Sequence, residues 1–312
     1  MRLCSRFQGF SALLLTGIFA AAAAQNTAHP AARVAAPALS PGIVYLPVSI
    51  TDRQDRLIVP DLPARSFRVL ENNHPLPLVT FARNDAPASI VIVLDLSGSM
   101  QQHLDWERSA VREFLKAANP HNEYCFIGFA ERPARISGFT SSPSEIEARL
   151  TSLPAGRRTA LFDAILFAID QMQHARYARQ AILLISDGGD NQSSHSEGDV
   201  HRAIRRAAVQ VECIDTFDLG AKTIEERNGP SVLTGLADES GGRSFAVRSA
   251  AELGPAAARL SLEFRTEYLL GFQPDHVLLD GKWRRIKVKV SPPPGLPKLT
   301  VHARNGYYAP LQ

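Results

Sequence analysis

The most constraining feature of this sequence is an apolar run that ends in a cluster of oxygen-bearing side chains. The run Ile90-Val91-Ile92-Val93-Leu94 leads directly into Asp95, with Ser97 and Ser99 just beyond it. A short stretch of β-branched residues is typical of a parallel strand that is buried on both faces. Because the carboxyl end of such a strand opens into a surface crevice, we expect the three polar side chains to form part of a binding site.

Two later segments carry further oxygen atoms that an α/β fold would bring to the same edge. Thr159 lies in a loop that leads into an apolar-periodic helix beginning at Leu161. Asp187 ends a second apolar strand, residues 181–186, and precedes a glycine turn. Hydroxyls and carboxylates together suit a hard cation, so we predict Mg²⁺, with Mn²⁺ or Ca²⁺ as substitutes. The predicted metal-binding residues are Asp95, Ser97, Ser99, Thr159 and Asp187.

The order Asp-x-Ser-x-Ser, then Thr, then Asp resembles the metal-ion-dependent adhesion site of the von Willebrand factor type A (VWA) domain. The resemblance covers roughly residues 88–262, and three ordered pieces are far more specific than Asp-x-Ser-x-Ser alone. The flanks, including the ending Arg304-Asn305-Gly306-Tyr307-Tyr308-Ala309, are similar to the bacterial VWFA-related family described mainly from acidobacteria.

This resemblance implies a role for each residue and a function for the site. Ser97 and Ser99 would bind the metal directly, and Thr159 would bind it directly or through water. Asp95 and Asp187 would anchor the shell. An exposed Asp or Glu of another protein would complete the coordination, which implies a non-enzymatic module for adhesion or complex assembly.

The alternative function is a metal-dependent hydrolase that uses the same ion to activate water. Asp163 or Asp190 would be its general base. Asp163 also lies in the first turn of a predicted helix, where an acid complements the helix dipole, and Asp190 could simply form the turn after Asp187. No Gly-x-Ser-x-Gly elbow or phosphate loop is present in the sequence.

The start of the chain has the form of an export signal. Arg2 and Arg6 precede an apolar run from Phe10 to Ala23, and small residues at positions 22–24 fit a cleavage site before Gln25. An uncleaved anchor is the alternative, although the apolar run is short for a membrane span. We therefore expect an exported protein, periplasmic or extracellular, with no membrane span after cleavage.

Charge and cysteine content add two further expectations. The net charge of +3 falls by two once the arginines of the leader are removed, so charge gives no case for nucleic acid or anionic lipid as a partner. We expect a monomer. Cys125 and Cys213 lie in predicted strands separated by two others, about 14 Å apart, so they are expected to be buried free thiols.

The chain is expected to fold as an α/β protein with a doubly wound, mostly parallel, Rossmann-like sheet and helices on both faces, because strands alternate with helices from Ala88 onward. Its last two helices are predicted over Ser231–Glu239 and Ala250–Leu262. The β-rich flanks should form one split β-sandwich, since domain ends usually lie close together; separate small β units are the alternative. The predicted divisions are a signal peptide over 1–24, a flexible lead-in over 25–42, an N-terminal β segment over 43–85, a VWA domain over 86–262 and a C-terminal β segment over 263–312.

Overall fold

The computed structural model describes residues 42–54, 56, 61–100, 104–153, 156–216, 223–274 and 280–309. The predicted signal peptide and nearly all of the predicted lead-in lie outside these residues. Of the helices that are described, none combines the length and the apolar character needed to cross a membrane.

A six-stranded sheet forms the centre of the molecule. Its strand order is β10-β9-β8-β5-β6-β7, with every neighbouring pair parallel except β6 and β7. All seven residues of β5 are buried, as the apolar run predicts. Its strands are β5 (Ser89–Asp95), β6 (Glu123–Phe129), β7 (Pro133–Thr140), β8 (Gln180–Ser186), β9 (Gln210–Asp215) and β10 (Ser244–Ala246).

Helices cover both faces of this sheet. Alternate residues of β5 enter two separate hydrophobic clusters, with Ile92 facing one set of helices and Val93 facing the other. This arrangement confirms the predicted α/β architecture. The helices of the first face are α1 (Leu104–Ala117), α2 (Pro143–Arg149) and α6 (Ala250–Arg265). The helices of the second face are α3 (Leu161–Gln171), α4 (Glu197–Ala207) and α5 (Ile224–Ser240).

The flanking segments form two antiparallel four-stranded sheets that share one hydrophobic cluster. Their strand orders are β13-β1-β11-β4 and β14-β12-β2-β3, so each sheet combines strands from before and after the central domain. The expected split β-sandwich is therefore present. Its strands are β1 (Val44–Asp52), β2 (Phe67–Glu71), β3 (His74–Leu76), β4 (Leu78–Asn84), β11 (Glu267–Phe272), β12 (Trp283–Val290), β13 (Leu299–His302) and β14 (Gly306–Tyr308).

Helix α5 begins earlier than the sequence predicts. The predicted start is Ser231, but the helix begins at Ile224 and contains Pro230. The cause is a capping box, in which the Thr223 hydroxyl accepts a hydrogen bond from the Glu226 backbone N–H at 3.1 Å. The cap starts the helix upstream of the proline. Helix α6 also continues to Arg265, three residues past its predicted end.

Both cysteines in the described part of the chain are free and buried, as predicted. Strands β8 and β5 separate β9, which carries Cys213, from β6, which carries Cys125. Burial raises the pKa of Cys125 to about 11 and raises that of Cys213 as well. Neither thiol is therefore set up as a nucleophile.

A buried polar network joins the amino ends of the central strands to the β-sandwich. The Gln210 side-chain amide donates to Glu212 Oε1 at 2.7 Å and to Glu267 Oε1 at 2.6 Å. Arg179 pairs with Glu267 at 2.7 Å, and the Arg243 backbone N–H donates to Glu212 at 2.9 Å. Burial, followed by the charge of Glu267, raises the pKa of Glu212 to about 8.

Replacing Glu212 is expected to remove a pH-dependent loss of stability. The raised pKa means that the native protein keeps a proton which the unfolded chain loses between pH 4.5 and about 8. The stability from this group is present below that window and is lost as the pH rises through it. The free energy of unfolding of the wild type should fall between pH 5 and pH 8.5. In Glu212→Gln this fall should be smaller by on the order of 2 kcal/mol, as measured by urea titrations at the two pH values. The exposed Glu225→Gln is the control, and parallel curves for wild type and Glu212→Gln would contradict the prediction.

Candidate metal centre

Asp95 is fully buried at the carboxyl end of β5, where two groups hold its carboxylate. The backbone N–H of Ser97 donates to Oδ1 at 3.0 Å, and the hydroxyl of Ser186 donates to Oδ2 at 2.6 Å. Ser186 is the last residue of the neighbouring strand β8. The role of Ser186 was not predicted from the sequence, although its position just before Asp187 could have indicated it.

A chain of hydrogen bonds leads from this buried position to the surface. The hydroxyls of Ser97 and Ser99 lie 3.2 Å apart, and the Ser99 hydroxyl donates to Asp187 Oδ2 at 2.8 Å. Asp187 Oδ1 in turn accepts the Gly189 N–H at 2.9 Å. Ser97 is buried and Ser99 is exposed, so this part of the predicted set forms one connected, accessible cluster.

Thr159 reaches the same edge through backbone contacts. Its N–H donates to the Asn191 side chain at 3.0 Å, and its carbonyl accepts the Asn191 N–H at 2.9 Å. The N–H of Gly156 donates to the Leu96 carbonyl at 2.9 Å, which ties this loop to the one that follows β5. Among the described residues, Thr159 makes no hydrogen bond with the other four predicted ligands.

Carboxyl groups with raised pKa values lie at this edge of the sheet. Burial, followed by the charge of Asp187, raises the pKa of Asp95 to about 7, against the opposing effect of hydrogen bonds from Ser186 and Ser97. A third carboxyl group lies nearby on α1. Glu107 is fully buried, and neither of its oxygens has a hydrogen-bond partner among the described residues. Burial, with the charges of Asp95 and Asp187, raises its pKa well above the usual range.

Glu107 was absent from the predicted site, although the sequence contained a signal for it. It shares a helical face with Ala110, Val111 and Phe114, all of which are buried. An acidic residue in the apolar stripe of an amphipathic helix is unusual, because burying an unpaired carboxylate is strongly unfavourable. An acidic residue in this position therefore indicates a candidate site residue.

The donor set fits a hard divalent cation. Within the described residues, no three His, Cys, Asp or Glu side chains are grouped so that they could hold a metal ion. The predicted set contains only two carboxylates, Asp95 and Asp187, and takes its remaining donors from hydroxyls. The chemistry of these oxygens matches Mg²⁺, and a cation would offset the burial and the neighbouring charge of Asp187 that together raise the pKa of Asp95.

The two candidate bases of the hydrolase alternative are engaged in loop structure. Asp163 accepts hydrogen bonds from the backbone N–H groups of Ser194 and His195 and from both of their side chains. Although burial raises its pKa, these hydrogen bonds outweigh that effect and lower it. Asp190 Oδ1 accepts the Ser193 hydroxyl at 2.5 Å. Both carboxylates stabilise the loop between β8 and α4.

Two exposed arginines flank the candidate centre. Arg157 and Arg158 immediately precede Thr159, and their backbone N–H groups donate to the Glu131 carboxylate at 2.8 and 3.3 Å. The Arg158 guanidinium also donates to the Gln192 side chain at 2.6 Å. Glu131 therefore fixes the backbone of the loop that leads to Thr159. Arg157 and Arg158 are both exposed there and are called the rim of the site.

A glycine pair allows α5 to approach the Asp187 loop closely. Gly188 has a φ of +78°, and a Cβ at this position would lie 2.4 Å from the carbonyl oxygen of Gly229. A Cβ on Gly229 would lie 2.0 Å from the carbonyl oxygen of Asp187. Neither contact is compatible with a larger residue, so both glycines are needed for the position of the aspartate.

Comparison with known proteins identifies the family of the central domain. Residues 90–189 match the family model of the von Willebrand factor type A domain. The chain therefore carries a VWA domain, as its sequence resemblance implies. Domains of this family typically mediate protein–protein interactions, are generally not enzymes and commonly bind a divalent cation. The narrower resemblance to the acidobacterial family stays a prediction.

Solved structures with a similar fold are distant in sequence. A von Willebrand factor type A protein from Catenulispora acidiphila is 13% identical with a TM-score of 0.50, over 80% of this chain and 76% of that one. BatB from Bacteroides thetaiotaomicron is 18% identical with a TM-score of 0.45, over 57% of this chain and 100% of that one. An aerotolerance-related membrane protein from Bacteroides fragilis is 18% identical with a TM-score of 0.46, over 56% and 99%. No curated protein matches the chain.

Two glycines of α5 provide a matched test of the close approach to Asp187. Gly229→Ala is expected to lower the free energy of unfolding by roughly 2 kcal/mol, because its methyl group would overlap the backbone of the Asp187 loop. Gly235→Ala should instead raise stability by about 0.5 to 1 kcal/mol, since a Cβ there meets nothing within 4 Å. Urea denaturation of the two variants measures the difference. Equal effects of the two substitutions would show that α5 does not constrain the loop.

Proposed function

We propose that the protein is an exported, metal-ion-dependent protein-binding module for adhesion or complex assembly. The observation that carries this proposal is the connected cluster of Asp95, Ser97, Ser99 and Asp187 at the carboxyl edge of a VWA sheet. Hydroxyls make up much of this cluster, and burial together with the charge of Asp187 raises the pKa of Asp95, which favours a cation at the site.

Each predicted residue has a distinct task in this proposal. Ser97 and Ser99 would supply hydroxyl ligands, with Thr159 binding directly or through a water molecule. Asp95 and Asp187 would fix the two serines and balance the charge of the ion. A bound Mg²⁺, with Mn²⁺ or Ca²⁺ as substitutes, would keep positive charge and an open coordination position for a carboxylate of another protein.

The rim of the site favours an acidic partner. Arg157 and Arg158 are both exposed beside Thr159, and their loop is held in place by Glu131. Positive side chains around a binding position attract a partner that presents Asp or Glu, and they raise its rate of association. We propose that the protein acts as a monomer in the periplasm or outside the cell.

A hydrolytic function has less support from the geometry. Water activation needs a positioned general base in addition to the metal. The carboxylates of Asp163 and Asp190, which were the candidate bases, both accept hydrogen bonds from the loop between β8 and α4. We therefore propose that the protein binds a partner and does not catalyse a reaction.

Ser99→Ala is the sharpest test of the metal site. Removing this hydroxyl should weaken Mg²⁺ and Mn²⁺ binding by about tenfold or more in isothermal titration calorimetry, because it links Ser97 to Asp187. Ser144→Ala is the matched control, since Ser144 is also exposed and its hydroxyl lies 2.9 Å from another serine hydroxyl. Partners captured from the exported fraction with Mg²⁺ should be released by EDTA and missing with Ser99→Ala. Metal affinity equal to that of the wild type would contradict the proposed site.

Charge reversal at the rim tests the acidic partner separately from the metal. The double variant Arg157→Glu, Arg158→Glu should retain metal binding but associate with the captured partner about tenfold more slowly at low salt. Arg65→Glu with Arg68→Glu is the control, because it reverses two exposed charges in the β-sandwich. Association rates from surface plasmon resonance that are the same in both double variants would rule out recognition through the rim.

A further inference from the structure

A cavity lies at the opposite end of the central sheet from the candidate metal centre. It has a volume of about 350 Å³ and is bounded by the amino ends of β8 and β9 on one side and by the sheet containing β1 and β11 on the other. This volume lies at the lower end of the range for small-molecule sites. Tyr45, Pro47, Tyr177 and Leu269 supply much of its apolar wall.

The charged groups of this cavity are all positive. Two arginines, Arg179 and Arg304, contribute to the lining, and no Asp or Glu is among the described residues that line it. Arg179 is neutralised by its ion pair with Glu267 at 2.7 Å. The remaining uncompensated charge in the cavity therefore belongs to Arg304.

Arg304 is half-buried, and its interactions differ from those of Arg179 and Arg243. Arg243, like Arg179, pairs with a glutamate, in this case Glu263 at 2.8 Å. Arg304 forms no ion pair with any described carboxylate. Its Nη2 donates to the Tyr45 carbonyl at 2.9 Å, while its buried Nε has no hydrogen-bond partner within the described part of the chain. Burial lowers its pKa to about 10, so the side chain remains charged at neutral pH.

An unpaired guanidinium in a partly apolar cavity specifies the charge of its ligand. Burying a charge without a partner is strongly unfavourable, and a guanidinium presents a planar fork of donors that matches a carboxylate. Since only one positive charge is uncompensated, the cavity suits a monoanion better than a phosphate dianion. The apolar wall suits a hydrocarbon or aromatic body attached to that anion.

We propose that this cavity is a binding site for a small amphiphilic carboxylate. The carboxylate pairs with the Arg304 guanidinium, and the apolar body packs against Tyr45, Pro47 and Leu269. The site is separate from the metal centre, because it lies at the amino ends of the strands whose carboxyl ends carry Asp95 and Asp187. Its ligand would bind between the VWA domain and the β-sandwich.

Octanoate is a suitable probe, with 1-octanol as its uncharged counterpart. We expect saturable one-to-one binding of octanoate in isothermal titration calorimetry, and binding of 1-octanol at least tenfold weaker. Arg304→Met should weaken octanoate binding at least tenfold, whereas Arg68→Met, which removes an exposed arginine of the β-sandwich, should leave it unchanged. Circular dichroism and thermal melting establish that each variant is folded.

A second variant keeps the test decisive if Arg304→Met does not fold. Ala86 lines the cavity, and Ala86→Phe should fill it while Arg304 remains in place. Loss of octanoate binding in folded Ala86→Phe supports the site. The proposal is overturned if the wild type binds neither hexanoate nor octanoate, or if a folded Arg304→Met or Ala86→Phe variant binds octanoate as tightly as the wild type does.

Discussion

The buried carboxylate of Asp95 is the constraint on which this edge of the molecule depends. It ends a strand whose seven residues are all buried, so water cannot stabilise its charge. Ser186 and the Ser97 backbone therefore hold it, and even with these hydrogen bonds its pKa is raised to about 7. Neighbouring loops contribute to the same arrangement, because Ser186 leads directly into Asp187, and Asp187 lies against α5 at Gly229.

Glu107 is a second carboxyl group in this region whose pKa is raised. Other buried acids in the described part of the chain have a charged partner, as Glu263 and Glu267 have with arginines. Glu107 has no hydrogen-bond partner among the described residues, and the charges of Asp95 and Asp187 act on it in addition to burial. Three carboxyl groups in one buried region are stabilised only by protons or by a cation. This electrostatic situation supports the proposed metal site around Asp95.

The sequence predicts those parts of the fold and site that depend on local patterns. The apolar runs before Asp95 and Asp187 each form a buried central strand, and the two strands lie side by side. Ser186 and Glu107 were missed because their roles arise from tertiary packing. Folding brings the end of β8, with Ser186, and a face of α1, with Glu107, into the region of the Asp95 carboxylate. The predicted start of α5 was wrong because the capping box at Thr223 outweighs the helix-breaking tendency of Pro230. The contact of Thr159 with Asn191 likewise depends on two loops that meet only in the folded chain.

The β-sandwich accommodates a whole α/β domain between its halves because the two ends of that domain are adjacent. Asn84 ends β4 and Glu267 begins β11, and these two residues are directly paired in the same sheet. Arg265, the last residue of α6, also pairs with Asp85 at 3.0 Å, which joins the outgoing chain to the incoming one. An insertion whose ends are neighbouring strand residues leaves the surrounding sheet intact. The same junction brings Arg179 against Glu267, so the connection between the two parts of the molecule is held by a buried ion pair and a more exposed one as well as by the backbone.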